Sequence, residues 1–222
     1  MGTDLPRLRP DLLLAGLLLA YSPTWINVLL RHLGVTWAFT RGPQSVLLWD
    51  WLAACALIGF ILLVERRGFA SIGIRRPGGQ DLIWAMVFAG AGLVASALVS
   101  TLVSTSGSAG MAMLMALPLP VIVAIVFTTA ITEEVLFRGY PVERLGEAGG
   151  SIWIGAAASL VLFVTPHIVF FGPAWLAQQG VGVLLAYWLY VWRRNLIASM
   201  LMHFIGNAPL ILLALGTSDA VQ

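Results

Sequence analysis

Seven apolar runs of roughly 20 residues restrict what this chain can fold into more than any other feature. An α-helix rises about 1.5 Å per residue, so roughly 20 apolar residues cross the hydrocarbon layer of a bilayer. The sequence therefore predicts an all-α, polytopic membrane helical bundle with about seven transmembrane helices. The predicted spans are Leu12–Leu30, Val46–Val64, Leu82–Val103, Pro118–Leu136, Ile152–Phe171, Trp175–Trp192 and Leu196–Leu215.

Composition excludes the other broad classes of protein. Of the 222 residues, 59% are hydrophobic and 10% are charged, whereas soluble domains have about 45–50% apolar and about 25% charged residues. Cys55 is the only cysteine, so the sequence excludes an internal disulfide and a thiolate metal cage. It has no arginine-rich run interleaved with aromatic residues to bind nucleic acid. We expect residues 1–222 to form a single integral membrane domain.

The basic residues predict an orientation in the membrane, and all 12 of them are arginine. Nine lie in alternate connections between the predicted spans, two lie on the opposite side, and Arg138 falls within a helix. The positive-inside rule then places the N-terminus in the cytoplasm and the C-terminus outside, in what the composition suggests is a bacterial cytoplasmic membrane. The nine are Arg7, Arg9, Arg66, Arg67, Arg75, Arg76, Arg144, Arg193 and Arg194, and the two are Arg31 and Arg41.

Polar side chains inside the predicted spans are the candidate functional residues, because an acid at the centre of a membrane helix costs about 2.5–3.5 kcal/mol on insertion scales. Asp50 lies near the outer end of the second span, where we expect a structural role in contact with interfacial water. Three other clusters occur on the fourth, fifth and seventh spans. They comprise Glu133, Glu134 and Arg138, then His167, and finally His203 and Asn207.

The spacing within these clusters predicts which side chains act together. Glu134 and Arg138 are four residues apart and therefore predict an intrahelical ion pair. Glu133 lies about 100° further round the helix, where it is free to face another helix. His203 and Asn207 are also four residues apart, so both are expected to point into one space.

Chain distance also predicts a common depth for two of the clusters. If the fourth helix continues through Tyr140 and Arg144 to a hairpin turn at Gly149 and Gly150, Glu133 lies 16 residues before Gly149. His167 lies 18 residues after Gly149. These separations correspond to about 24 and 27 Å along two antiparallel helices, so the carboxylate and the imidazole are expected at nearly one level.

This set of groups suits peptide-bond hydrolysis without a Ser or Cys nucleophile. A glutamate and an imidazole can activate water, and a second His with an Asn can donate hydrogen bonds to the oxyanion. A zinc site formed by Glu133, His167 and His203 is an alternative, although the sequence has no His-Glu-x-x-His motif. Polar groups that only join helices, and a proton-relaying transporter, are the non-hydrolytic alternatives.

Three motifs in this order resemble those of the CPBP family, the CAAX-protease and bacteriocin-processing membrane proteins, also called the ABI family. The resemblance covers about residues 118–210. The motifs are Glu133-Glu134-x-x-x-Arg138-Gly139-Tyr140, Phe163-x-x-x-His167, and a segment from Asn195 that ends in His203-x-x-x-Asn207.

The resemblance implies a glutamate-dependent intramembrane endopeptidase without a cofactor, acting on a membrane-associated peptide or protein. It implies that Glu133 and His167 activate the water and that His203 and Asn207 stabilise the oxyanion. Glu134 and Arg138 are then expected to support the base. Some proteins resembling this family act as immunity or scaffold proteins, so a non-catalytic role is a further alternative.

Overall fold

A computed structural model describes residues 9–35, 42–103 and 108–219. Within these ranges there is no β-strand, so the predicted all-α class is confirmed. The α-helices, in chain order, are α1 (Pro10–His32), α2 (Val46–Gly59), α3 (Gly79–Ser100), α4 (Ala109–Met115), α5 (Leu119–Glu133), α6 (Tyr140–Gly149), α7 (Ile152–Phe171), α8 (Ala174–Arg193) and α9 (Leu196–Asp219). Phe60–Val64 and Glu134–Gly139 are π-helical, and Pro43–Ser45 and Phe69–Ile72 are short 3-10 turns.

Five helices in the described ranges are long and apolar enough to cross a membrane, and each overlaps a predicted span. They are Pro43–Val64, Gly79–Ser100, Leu119–Gly149, Ile152–Phe171 and Leu196–Gly216. The predicted count of about seven is not confirmed. The two remaining predicted spans correspond to α1 and α8, whose apolar runs are interrupted by Pro23 and Asn27 in α1 and by Gln178 and Gln179 in α8.

The predicted orientation of the chain stays a prediction. It depends on the arginine distribution, and two of those arginines, Arg7 and Arg41, lie outside the described residues.

One continuous helix of 31 residues, Leu119–Gly149, carries the first polar motif. It comprises α5, the π-helical segment Glu134–Gly139 and α6. Its length of about 46 Å exceeds a hydrocarbon layer of roughly 30 Å, so one end of it extends beyond that layer. The predicted continuation of the fourth helix to the turn at Gly149 is therefore confirmed.

A tight hairpin joins α6 to α7. Gly150 ends α6 with a φ of 74°, in the left-handed region that favours glycine. The Ser151 hydroxyl then caps α7 by accepting a hydrogen bond from the Trp153 amide at 3.3 Å. At Gly155 the two helices approach so closely that a Cβ atom would overlap the Val142 carbonyl oxygen and lie 2.6 Å from the Gly146 nitrogen.

Buried charged and hydroxyl groups fix α6 to its neighbours. The Arg144 side chain, which is fully buried, donates to Glu65 Oε2 at 2.7 Å and to the Ser71 carbonyl oxygen at 3.0 Å. The Tyr140 hydroxyl donates to Glu65 Oε1 at 2.9 Å. Because Glu65 directly follows the π-helical segment Phe60–Val64 that continues α2, these bonds set the height of α6, and therefore of the polar motif before it, relative to α2.

The close approach at Gly155 predicts the effect of a single added methyl group. We expect Gly155→Ala to lower the free energy of unfolding by about 1–3 kcal/mol, because overpacking displaces the α6 backbone. Gly90→Ala is the matched control: Gly90 lies within α3 and a Cβ there meets no atom within 4 Å. Chemical denaturation in detergent micelles measures both variants, and equal stability of the two would contradict close packing at this hairpin.

Candidate active site

Glu134 and Arg138 of the first polar motif lie in a π-helical segment, Glu134–Gly139, and Glu133 ends α5 directly before it. A π-helix has one more residue per hydrogen-bonded turn than an α-helix, and such segments are frequent at functional sites. Gly139 ends the segment where a Cβ would lie 2.9 Å from Leu196 Cδ2 and 3.1 Å from the Ile72 carbonyl oxygen. The small residue therefore lets the start of α9 pack directly against the widened turn.

A buried ion pair joins Glu134 to Arg138, as their spacing predicts. The exposed fractions of the two side chains are 0% and 2%. Glu134 Oε1 also lies 2.7 Å from His203 Nδ1. The Arg138 guanidinium lies over two aromatic rings, 4.6 Å from the Tyr187 centroid and 5.1 Å from the Phe163 centroid. Charge, hydrogen bonding and cation–π contact together hold this pair within the bundle.

Two polar atoms of this pair have no hydrogen-bond partner among the described residues. They are Glu134 Oε2 and Arg138 Nε. Buried polar atoms usually have partners, and a catalytic role, a bound water or a bound ion each accounts for an exception.

Glu133 faces the same imidazole from the other side. Its Oε2 atom lies 3.8 Å from His203 Nε2, and both side chains are 13% exposed. His203 therefore lies between two carboxylates. Glu134 is fully buried, and Glu133 is partly accessible from outside the protein. The expectation that Glu133 faces another helix is confirmed, and that helix is α9.

His167 has a defined tautomer. Its Nδ1 atom lies 2.7 Å from the Phe163 carbonyl oxygen. A carbonyl can only accept, so Nδ1 carries a proton, and in the neutral ring Nε2 has the lone pair. The ring is held between Phe163, at 4.4 Å, and Trp175, at 4.6 Å between centroids.

His167 lies near the depth of the Glu134–Arg138 ion pair in the bundle, but it does not contact Glu133 directly. The Phe163 ring contacts both the imidazole of His167 and the guanidinium of Arg138. The common depth that chain distance predicts is consistent with this shared ring. Among the described residues, the hydrogen bond of His167 goes to its own helix.

Asn207 lies one turn beyond His203 and faces α5. Its Nδ2 atom donates to Thr129 Oγ1 at 3.5 Å. The Thr129 hydroxyl donates to the Ile125 carbonyl oxygen at 2.9 Å, so its oxygen can only accept from Asn207. This arrangement fixes the amide orientation. The prediction that His203 and Asn207 share one face is confirmed, because both contact the helix that carries Glu133 and Glu134.

Asp50 is the residue whose surroundings the sequence did not predict. It is buried within α2, and its side chain lies beside that of Thr132, the residue before Glu133. On the next turn of α5, Thr128 Oγ1 accepts a hydrogen bond from Trp51 Nε1 at 3.1 Å. The expectation that Asp50 reaches interfacial water is therefore wrong. Two features of the sequence were available as signals of this contact. They are an acid within the second apolar span and two threonines four residues apart in the fourth.

The described part of the chain contains no group of three or more His, Cys, Asp or Glu side chains arranged to hold a metal ion. Glu133 and His203 are neighbours, but the remaining zinc-ligand candidate, His167, is not grouped with them.

Five apolar helices and a charged centre within the bundle define the class of this molecule as an integral membrane protein. The family model described as Type II CAAX prenyl endopeptidase Rce1-like matches residues 115–209, so this part of the chain is similar to that family, the CPBP family. No curated protein and no solved structure matches the chain. The family is a protease family, so the match supports a peptide hydrolase and suggests an intramembrane protease of the CAAX type.

The buried ion pair predicts a non-additive effect on stability. We expect Arg138→Leu to lower the free energy of unfolding by about 3–5 kcal/mol, because it leaves the Glu134 carboxylate buried without its guanidinium. The double variant Glu134→Leu/Arg138→Leu should cost less than this single change, since no uncompensated charge remains. Denaturation curves of the two variants in one detergent measure the difference.

A partly exposed pair in the same protein supplies the control. Arg67 and Glu147 are 2.7 Å apart, with exposed fractions of 17% and 32%. Arg67→Leu should cost no more than about 1 kcal/mol. A loss of the same size for Arg67→Leu and Arg138→Leu would contradict the importance of the buried pair.

Proposed function

We propose that this protein is an intramembrane endopeptidase that hydrolyses a peptide bond of a membrane-proximal substrate. One observation carries the proposal: His203 lies between the carboxylates of Glu133 and Glu134, at 3.8 and 2.7 Å. This centre lies inside the part of the chain that matches a protease family.

Glu133 and His167 activate the water in this mechanism. Glu133 is the accessible carboxylate of the pair, and it removes one proton as the water oxygen bonds to the scissile carbonyl carbon. The lone pair on His167 Nε2 accepts a hydrogen bond from the other proton of the same water. The Phe163 ring, tilted against the imidazole, and the Trp175 ring, stacked on it, hold that imidazole in place. When the C–N bond breaks, Glu133 returns its proton to the leaving amine.

His203 and Asn207 stabilise the oxyanion. Asn207 has two N–H groups, of which one is bound to Thr129, so the second is available to the negative oxygen. His203 donates from Nε2 when both of its ring nitrogens carry protons. Donors fixed before the reaction begins are often the largest single contribution to catalysis, and losing one typically costs about 10²–10³ in kcat.

Glu134 and Arg138 act as positioning residues. The Glu134 carboxylate accepts the Nδ1 proton of His203, which sets the orientation of that ring. Arg138 in turn holds the carboxylate by the ion pair and is itself held by Phe163 and Tyr187. This chain of contacts links the base, the oxyanion donor and the hairpin helices.

The substrate class follows from where this centre lies. It is located within helices that can cross a membrane, so the substrate is a peptide or protein attached to, or inserted in, the bilayer. We further propose that the protein resides in a bacterial cytoplasmic membrane, with its N-terminus in the cytoplasm and its C-terminus outside, as the arginine distribution favours.

Conservative variants of the two water-activating residues test the mechanism. We expect Glu133→Gln and His167→Ala each to reduce cleavage by at least about 100-fold, because general-base catalysis contributes about 10²–10⁴. Cleavage is measured with a farnesylated CAAX peptide in lipid–detergent micelles, and by mapping new peptide termini in membranes of cells that express the protein.

Glu147→Gln is the matched control for the glutamate variant. Glu147 lies on α6 and pairs with Arg67, away from the centre, so this change should leave the rate within about twofold of wild type. Folding is checked by circular dichroism and size-exclusion chromatography. Full cleavage by folded Glu133→Gln protein would overturn the proposal and favour a binding or scaffold role.

The proposed mechanism uses no metal ion, and chelation tests that step. We expect prolonged treatment with EDTA and 1,10-phenanthroline, followed by removal of both chelators, to leave cleavage of the same peptide unchanged. Elemental analysis of the treated protein verifies that it is free of zinc. Loss of cleavage that returns on addition of Zn²⁺ would instead establish the zinc-dependent alternative formed by Glu133, His167 and His203.

A further inference from the structure

An apolar groove lies outside the candidate active site, between α3 and α8. Its volume is about 510 Å³, within the range of about 300–1,000 Å³ that is typical of small-molecule sites. Five large side chains line it: Trp84, Phe88, Leu185, Trp188 and Trp192. None of the six candidate residues of the active site contributes to this surface.

The walls of the groove are held by aromatic packing. Trp84 lies 5.8 Å from Phe88 and 5.1 Å from Trp192, measured between ring centroids. Trp188 and Trp192 are 57% and 46% exposed, so the groove opens to the outside of the bundle. Large rings packed against one another therefore form the apolar wall of the groove.

The groove has a closed end and an open end. One turn beyond Phe88, α3 contacts α8 through glycine, where a Cβ on Gly92 would lie 3.1 Å from Gly182 Cα. The helices cannot admit a ligand at that contact. The groove therefore stops at this contact and runs toward its other end, where α3 begins and α8 ends.

Positive charge surrounds this open end. The Arg193 guanidinium lies 5.2 Å from the Trp192 ring centroid, and Arg75 Nη2 donates to the Arg193 carbonyl oxygen at 2.8 Å. Arg76 is exposed and has no ion-pair partner among the described residues. Asp81 pairs with Arg193 at 2.7 Å. Arg75 and Arg193 therefore accompany one carboxylate at this end, and the exposed Arg76 follows Arg75 directly in the chain.

We propose that this groove binds one anionic phospholipid, with an acyl chain along the aromatic wall and its phosphate at Arg75 and Arg76. An apolar groove that ends where guanidinium groups outnumber carboxylates matches a ligand with a long apolar part and an anionic head. Arginine pairs with phosphate through two parallel hydrogen bonds, and basic pockets between membrane helices bind anionic lipid head groups. A zwitterionic lipid has the same chain but no net charge to satisfy this end.

Lipid competition tests the site on the full chain. The protein is reconstituted in vesicles of equal amounts of phosphatidylglycerol and phosphatidylcholine, extracted gently, and examined by native mass spectrometry. We expect wild type to retain one phosphatidylglycerol in preference to phosphatidylcholine. Arg75→Gln/Arg76→Gln should reduce this preference by roughly 10- to 30-fold, since each arginine near an anionic surface contributes about fivefold.

Two further variants separate the groove from overall charge and from misfolding. Arg9→Gln/Arg66→Gln removes the same charge from two exposed arginines elsewhere and should retain wild-type preference. Leu185→Trp fills the groove and should release the lipid while all the arginines remain. Equal retention of both lipids by wild type, equal loss in the Arg9/Arg66 variant, or a full lipid complement in Leu185→Trp would each overturn the proposal. Cleavage activity is not a readout here, so failure of the lipid site leaves the proposed protease function untouched.

Discussion

The contact between the Glu134 carboxylate and the Arg138 guanidinium is the interaction on which the centre of this molecule depends. A charge buried in a membrane helix is tolerated only when it has a partner. Here the partner lies one turn away, and both groups are further held by His203 from α9 and by Phe163 and Tyr187 from α7 and α8. One ion pair thus determines how four helices meet. The same pair orients the imidazole that lies beside Glu133.

Much of this arrangement could be predicted from local spacing. The ion pair, the shared face of His203 and Asn207, and the hairpin at Gly149 each follow from helical periodicity and turn chemistry within a short stretch of sequence. Residues 115–209, which match the family, lie close to the range of about 118–210 that the motifs indicated. These features are local, so a single sequence contains them.

Contacts between distant segments could not be predicted in the same way. Asp50 is 82 residues from Thr132, and nothing in its own helix shows which helix packs opposite it. The tautomer of His167 depends on a hydrogen bond within α7, but its stacking on Trp175 requires the turn into α8. The number of spans could not be obtained from the sequence either, because α1 and α8 mix apolar residues with proline and amides. The partners of Asp50 and His167 depend on how the helices pack, and helical periodicity within one segment does not predict that packing.

The long helix from Leu119 to Gly149 has a consequence for where a substrate is cut. Glu133 lies 16 residues from Gly149, or about 24 Å, and Arg144 and Tyr140 tie that helix to Glu65. In the proposed mechanism, the hairpin then sets a fixed distance between Glu133 and the turn. This distance depends on the protein and not on the thickness of the bilayer. Bilayers of different thickness would change how far the hairpin protrudes, while the scissile bond would keep its distance from the hairpin tip.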